Sequence, residues 1–219
     1  MSQFPEFMPL HSPFSINGQP VLGTYGSVEL DDLETIRTAG FNLVFGGGDL
    51  LDPDTKAGAF CKRVGIKVMY GLGGHIHSRP RLSQAITSDQ TEIPVSGGSS
   101  EPGPSVVQID TELIRYKEAT DDMLVGCERG HGGTRPNKHR MSVILAWPEP
   151  IRKEVKSVMN SPNLYGYYDL DDSPGNALSA LRVIYSSVKS TDRQRHPVCS
   201  GFSGSNTLQN FGLGVCDIM

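Results

Sequence analysis

The sequence predicts an α/β fold built on parallel strands, arranged as a sheet or a barrel. Three observations lead there. The stretches "IRTAGFNLVF" (36–45) and "CKRVGIKVMY" (61–70) share one pattern: a helix end, a glycine, then an apolar strand. That repeat is the signature of successive βα units. The strands are almost continuously apolar, as strands covered on both faces are. Polar groups then collect where the strands end: Tyr25 and Ser27, Asp49, His75 and His77, Asp169 to Asp172, Ser200 and Ser203, and Asp217.

The elements follow in order. "FSINGQPVLGTYG" reads as a short strand, a turn at Asn17-Gly18 and a second strand over 20–26. "SVELDDLETIRTAG" reads as a helix with Leu30, Leu33 and Ile36 on one side and Gly40 at its stop. After the strand "FNLVFGGG", Asp52-Pro53 predicts a helix start, with Ala57, Phe60, Cys61 and Val64 as its apolar stripe. "IKVMYGLGG" is the third strand of the series. Ile151, Val155, Val158 and Met159 mark a later helix, "LYGYYDL" the fourth strand, and Ser173-Pro174 the start of the helix that follows. "HPVCSGF" is the fifth strand and "VCDIM" the sixth.

Residues 75–147 break this rhythm. "SDQTEIPVSGGSSEPGPS" and "CERGHGGTRPNKHR" read as irregular, partly disordered sequence, with a helix capped by Asp110 over "DTELIRYKEATDDMLVG" between them. Connections this long are either functional or disordered. The region is therefore expected to be an insertion after the third strand, within one domain spanning residues 1–219.

Composition narrows the function. Twenty basic and 24 acidic residues are interspersed, for a net charge of −4, so no basic footprint points to nucleic acid. No run is long and apolar enough for a membrane span, and the first residues have neither a basic n-region nor an apolar h-region. The expectation is a cytoplasmic protein, or a secreted one if the N-terminus is misassigned. Cys61, Cys127, Cys199 and Cys216 are scattered without a C-x-x-C pair, which predicts reduced, mostly buried thiols.

The densest chemistry lies in "NLYGYYDLDDSP", residues 163–174. Tyr165, Tyr167, Asp169 and Asp171 share one face by the two-residue period of a strand. Two crowded carboxylates repel, so one of them is expected to hold its proton, as a general acid requires. The plainer alternative is that Asp172 or Ser173 caps the next helix.

These residues carry a resemblance. "FSINGQPVLGTYG" looks like the opening of many (β/α)8-barrel glycoside hydrolases. "SPNLYGYYDLDDSP", with "ALRVIYSSVKSTDRQRHPV" after it, resembles the fourth-strand region of the β-galactosidase- and cellulase-like clan. The likeness covers roughly residues 14–74 and 148–219. It implies an incomplete (β/α)8 barrel of the TIM type that acts on O-glycosidic bonds, with a carbohydrate as substrate and no cofactor. Asp171 matches the family's Asp, and Asp172 stands at the family's acid/base Glu, one methylene shorter and followed by Ser173 before Pro174. Candidate sugar contacts are Tyr25, Asp49, His75, His77, Asp169 and Ser203. The family's nucleophile ends the seventh strand, whereas this chain ends at about the sixth. The open sheet edge that this leaves suggests a homodimer.

Other readings stay open. The chain is either an active glycosidase or an inactive carbohydrate-binding remnant. "DLDDS" partly resembles the D-x-D-x-E of chitinase-like barrels, with Asp169 and Asp171 on the two Asp and Ser173 at the Glu. His75 and His77 form an H-x-H pair, the feature of a metal-dependent barrel hydrolase, although two histidines in a Gly-rich loop equally suit sugar contacts. "FGGGD" and "GLGG" fit neither dinucleotide- nor phosphate-loop spacing. Trp147 is either a sugar-stacking platform or a core residue.

Overall fold

The computed structural model describes residues 15–26, 28–75, 80–97, 101–169, 177–193, 195–201 and 215–218. It is a mixed α/β structure with a five-stranded parallel sheet. The sheet strands are β3 (Gly23–Thr24), β4 (Leu43–Gly46), β5 (Lys67–Gly71), β12 (Leu164–Tyr168) and β13 (Val198–Cys199), and they lie side by side in that order. The register is regular, with Leu43 opposite Lys67 and Tyr167 opposite Val198. Ile218 continues it as a single parallel bridge to Cys199, where the sequence predicts a sixth strand. Among the described residues the sheet is not closed.

The chain forms two compact units, one of Met1–Tyr70 with Ser161–Tyr165, the other of Gly71–Asn160 with Gly166–Met219. The first opens with a hairpin of β1 (Ser15–Ile16) and β2 (Gln19–Pro20), turned at Asn17-Gly18 as predicted. Both turn residues have positive φ, 53° and 77°, the geometry of a two-residue hairpin turn. The predicted second strand over 20–26 is interrupted, and its two parts are β2 and β3.

Helix α1 (Asp32–Thr38) buries only Leu33, while Leu30 is exposed. A short helix α2 (Gly48–Leu51) follows β4. Helix α3 (Lys56–Val64) starts later than Asp52-Pro53 implies: the Thr55 hydroxyl caps it by accepting from the Gly58 amide at 3.0 Å. Asp52 lies before the helix, and its carbonyl accepts from the Thr55 hydroxyl at 2.9 Å. Gly65, at φ 78°, ends α3 as the sequence predicts. Asn163 fastens these pieces together. Its buried amide donates to the carbonyls of Leu50 and Gly58 at 2.8 and 2.9 Å.

The second unit holds the largest difference between sequence and structure. In place of an irregular insertion, residues 81–125 carry six antiparallel strands. These are β6 (Arg81–Leu82), β7 (Ile93–Ser96), β8 (Ser105–Ile109), β9 (Glu112–Tyr116), β10 (Glu118–Ala119) and β11 (Met123–Val125). Four form a sheet in the order β10-β11-β7-β6, and β8 pairs with β9 as a hairpin. The helix expected over "DTELIRYKEATDDMLVG" is absent. Asp110 sits in the β8–β9 turn at φ 52°, and Glu112, Ile114 and Tyr116 alternate inward along β9. Good helix formers are overridden here by a period-two burial pattern. Ile114 and Tyr116 join Leu82, Ile93, Val95, Val107, Ile109, Leu124 and Leu145 in one apolar core.

Trp147 belongs to this core and is no sugar platform. Its indole N–H donates to the Tyr116 hydroxyl at 2.8 Å, and that hydroxyl donates to the Glu101 carbonyl at 2.8 Å. Helices α4 (Pro148–Val158) and α5 (Leu178–Asp192) pack against one another, and both touch β8. The predicted helix start at Ser173-Pro174 lies outside the described residues. No described helix is long and apolar enough to cross a membrane.

A buried charge organises the module. Glu112 is fully buried, and five donors satisfy its carboxylate. Arg129 binds it in bidentate fashion, with both contacts at 2.8 Å, and the amides of Gly130 and Asn137 each donate at 3.0 Å. The fifth is His139 Nε2 at 2.7 Å, whose other ring nitrogen lies 3.0 Å from Asp110. The remaining N–H groups of Arg129 go to the carbonyls of Thr87, Gln90 and Asn137.

Burial opposes the charge on Glu112, yet the contacts with Arg129 and His139 outweigh it and lower its pKa. His139 is likewise disfavoured as a cation by burial, and its two carboxylate partners more than compensate, raising its pKa. Asp110 is lowered chiefly by its hydrogen bond to His139.

Two predictions follow from this packing. A Cβ on Gly58 would meet the Asp52 carbonyl oxygen at 1.9 Å. Gly58→Ala should therefore cost about 1–3 kcal/mol in urea unfolding, the usual penalty of overpacking. Glu112→Leu strands the buried guanidinium of Arg129 and should cost about 3–5 kcal/mol.

The network also sets a pH window. The carboxylates contribute fully above their ordinary values of 3.8 and 4.5, and that contribution is lost as pH falls through their lowered ones. His139 contributes fully below its ordinary 6.5, and its part is lost as pH rises through its raised value. Chemical denaturation against pH should show the module most stable between 4.5 and 6.5, and the loss on the alkaline side should vanish in His139→Gln.

Candidate functional site

The carboxyl ends of parallel strands are where α/β folds collect ligand-binding groups. In the second unit, β12 ends at Tyr168 and delivers Asp169, which is fully buried. The Asp169 amide donates to the Cys199 carbonyl at 3.1 Å, and the Ser200 hydroxyl donates to its carboxylate. Ser200 is held in turn through its amide, which donates to the Ile218 carbonyl at 3.1 Å. Asp169 is thus fixed by the neighbouring strand exit. The parallel register puts a serine one residue beyond β13, beside an aspartate one residue beyond β12.

Two thiols flank this carboxylate. Burial, then the Asp169 charge, pushes Cys199 up to about 12 and Cys216 up to about 11. Both are therefore protonated at neutral pH and poor nucleophiles. The two other thiols, Cys61 and Cys127, are buried and also free.

His75 lies at the adjacent exit. The Leu72 amide donates to the Tyr168 carbonyl at 2.6 Å, so the turn Gly73–His75 leaves beside the residue that precedes Asp169. The His75 ring nitrogen Nε2 is 2.6 Å from the Glu154 carboxylate on α4. His75 and Glu154 line an open groove of about 520 Å³ together with Glu101, Ser105, Glu149 and Lys153. Three carboxylates, an ammonium group, an imidazole and the hydroxyls of Ser105 and Ser157 thus line one cleft. Such a set can hydrogen-bond a polyhydroxylated ligand from both donor and acceptor sides.

The other sequence-predicted residues divide plainly. Tyr25 follows β3 in the first unit, is 64% exposed and meets Phe45 edge to face with ring centres 5.2 Å apart. Asp49, also in the first unit, is exposed in the first turn of α2. Asp171, Asp172, His77 and Ser203 lie outside the described residues. The structure therefore brings Asp169 and His75 to neighbouring strand exits, and the expected catalytic residues Asp171 and Asp172 lie outside the described residues. Among the described residues, no group of three or more His, Cys, Asp or Glu side chains is placed to hold a metal ion.

Sequence reasoning missed Glu154 and Glu101. Glu154 sits on α4 at the border of the apolar stripe of Ile151, Val155 and Val158, where an acid reads as solvated surface. Its partner is 79 positions away, a separation that leaves no local signal. Comparison with protein-family models, with curated proteins and with solved structures finds no match to this chain.

Removing the Ser200 hydroxyl leaves a buried carboxylate short of one donor. Ser200→Ala should lower stability by about 1.5–3 kcal/mol, the range for a hydrogen bond to a charged group. Thermal and urea unfolding would check it, with Ser190→Ala, on the outer part of α5, as a near-neutral control.

Proposed function

We propose that this chain is a glycoside-hydrolase-like protein of the (β/α)8-barrel kind, acting on O-glycosidic bonds by carboxylate acid/base catalysis. The observation that carries the reading is the strand order. Five parallel strands succeed one another in strict chain order, and a buried Asp169 ends the fourth. Doubly wound sheets reverse their order at a switch point, whereas a barrel wall adds each strand beside the last. The order thus supports a barrel wall. Asp169 then stands two residues before Asp171, at the edge where such folds do chemistry.

In this reading Asp172 protonates the departing glycosidic oxygen and Asp171 binds a substrate hydroxyl beside it. A second carboxylate completes the reaction, either as nucleophile about 5–5.5 Å away or as the base for a water at a longer separation. Asp169, tied to Ser200, fixes the end of β12. The groove of His75 and Glu154 supplies hydrogen bonds to sugar hydroxyls.

One feature favours a second reading, binding of carbohydrate without turnover. Asp172 replaces the longer Glu of the family, which sets its carboxyl back by one methylene.

The test is hydrolysis of a panel of aryl glycosides by the purified chain, with Asp172→Asn beside it. Turnover that falls at least a hundredfold in Asp172→Asn, with circular dichroism unchanged, supports the enzyme. Saturable oligosaccharide binding without turnover supports the second reading. Turnover unaffected by Asp172→Asn removes that residue from the mechanism.

A further inference from the structure

The ends of α4 and α5 form a second groove, unrelated to the carboxylates above. It has a volume of about 770 Å³, and Arg152, Lys156, Arg193 and Arg195 line it with no carboxylate among the lining side chains. In a chain of net charge −4, four cations around one open groove need an explanation.

The ordinary one is that basic residues complement helix C-termini, and it can be weighed. Each helix end carries about half a negative charge, so two ends offset about one of the four cations. Arg195 is offset separately by Asp192, a fully buried carboxylate 3.2 Å from its Nη2. Arg152 lies 3.8 Å from Glu149 in a solvent-exposed contact, which neutralises little. Among the described residues, Lys156 and Arg193 have no carboxylate within ion-pair distance. About two positive charges remain unbalanced after the helix ends are counted.

The geometry is also prepared for a ligand. Arg195 is held by the Asp192 carbonyl and carboxylate and by Asn160 Oδ1, at 3.2 to 3.4 Å. Its guanidinium is therefore ordered before anything binds. Arg193 caps α5 in the left-handed conformation at φ 53°, where glycine or asparagine is the unstrained choice. An exposed arginine there gains nothing in packing, yet it points a second guanidinium at the groove. Arginine forks match tetrahedral oxyanions two bonds at a time, and the Thr191 hydroxyl stands in the same lining.

We propose that the groove between the ends of α4 and α5 binds a tetrahedral oxyanion, the phosphate or sulfate group of a small molecule. The site is independent of the glycan reading and stands if that reading fails.

The experiment is a titration of the uniformly ¹⁵N-labelled chain with inorganic phosphate and, separately, with sulfate, against sodium chloride of equal ionic strength. Saturable shifts of amides in 156–160 and 190–195, absent with chloride, are the expected result. The double variant Lys156→Gln with Arg193→Gln should weaken binding at least tenfold without changing the melting temperature, and Lys62→Gln on α3 should leave binding unchanged. Inorganic phosphate should bind more tightly as pH rises through neutrality, where it loses its second proton; sulfate binding should be flat across that range. Shifts that are linear, equal with chloride, or unaltered in the double variant would overturn the site.

Discussion

The second unit depends on one buried ion pair. Glu112 and Arg129 exchange two hydrogen bonds in a site closed to solvent, and every remaining polar atom of both groups finds a partner. Charges are costly to bury, and full satisfaction is what makes the cost bearable. The pair gathers the loop at Thr87–Gln90, strand β9 and the segment from Arg129 to His139 around one point. The loop and the Arg129–His139 segment have few strand contacts of their own, so there the network takes the place of a ladder. Asp110 carries the arrangement onward, because its carboxylate meets His139 while its amide donates to Ser179 on α5 at 2.6 Å. The helix layer and the β module are thereby joined through polar contacts at the hairpin turn.

Parallel register supplies the other constraint. Strands that follow one another in chain order, each in step with the last, deliver their first residue past the sheet to a common edge. Asp169 and Ser200 meet for that reason, and the turn bearing His75 is anchored to the end of β12 by the Leu72 amide. Asp169 thus belongs to a strand exit held by its amide bond to the Cys199 carbonyl and by the Ser200 hydroxyl. Core packing alone would not place a carboxylate there. Asp169 is buried beside two protonated thiols, takes the Ser200 hydroxyl on its carboxylate and donates its amide to the Cys199 carbonyl, a surrounding suited to holding geometry.

Much of this was legible in the sequence, and the reasons are physical. The apolar runs at 43–46, 67–71 and 164–168 announce covered parallel strands, and the glycines at 40 and 65 mark the helix ends before two of them. Asn17-Gly18 fixes its hairpin because only such residues accept two positive φ angles cheaply. The β module was not legible. Its strands are two to five residues long, too short for a period to stand out. Glu112, which occupies an inward position on β9, makes the one diagnostic alternation look like a polar helix face. The start of α3 was misplaced because Asp-Pro is a strong initiation signal, while the Thr55 cap reveals itself only once the Asp49 and Asp52 carbonyls are in position. At the candidate site, Asp169 and His75 could be read from strand ends. Glu154 could not, since its role depends on a helix docking beside a distant turn.

The central proposal is that the exits of β12 and β13 border a carbohydrate site. The most direct measurement is a titration of the ¹⁵N-labelled chain with iminosugars and short oligosaccharides, following the amides of His75, Asp169 and Ser200. Saturable shifts concentrated at these three positions, at ligand concentrations up to the millimolar range typical of weak sugar binding (about 4 kcal/mol), are the predicted result. No shift with any sugar, or shifts confined to residues far from these strand exits, would contradict the account.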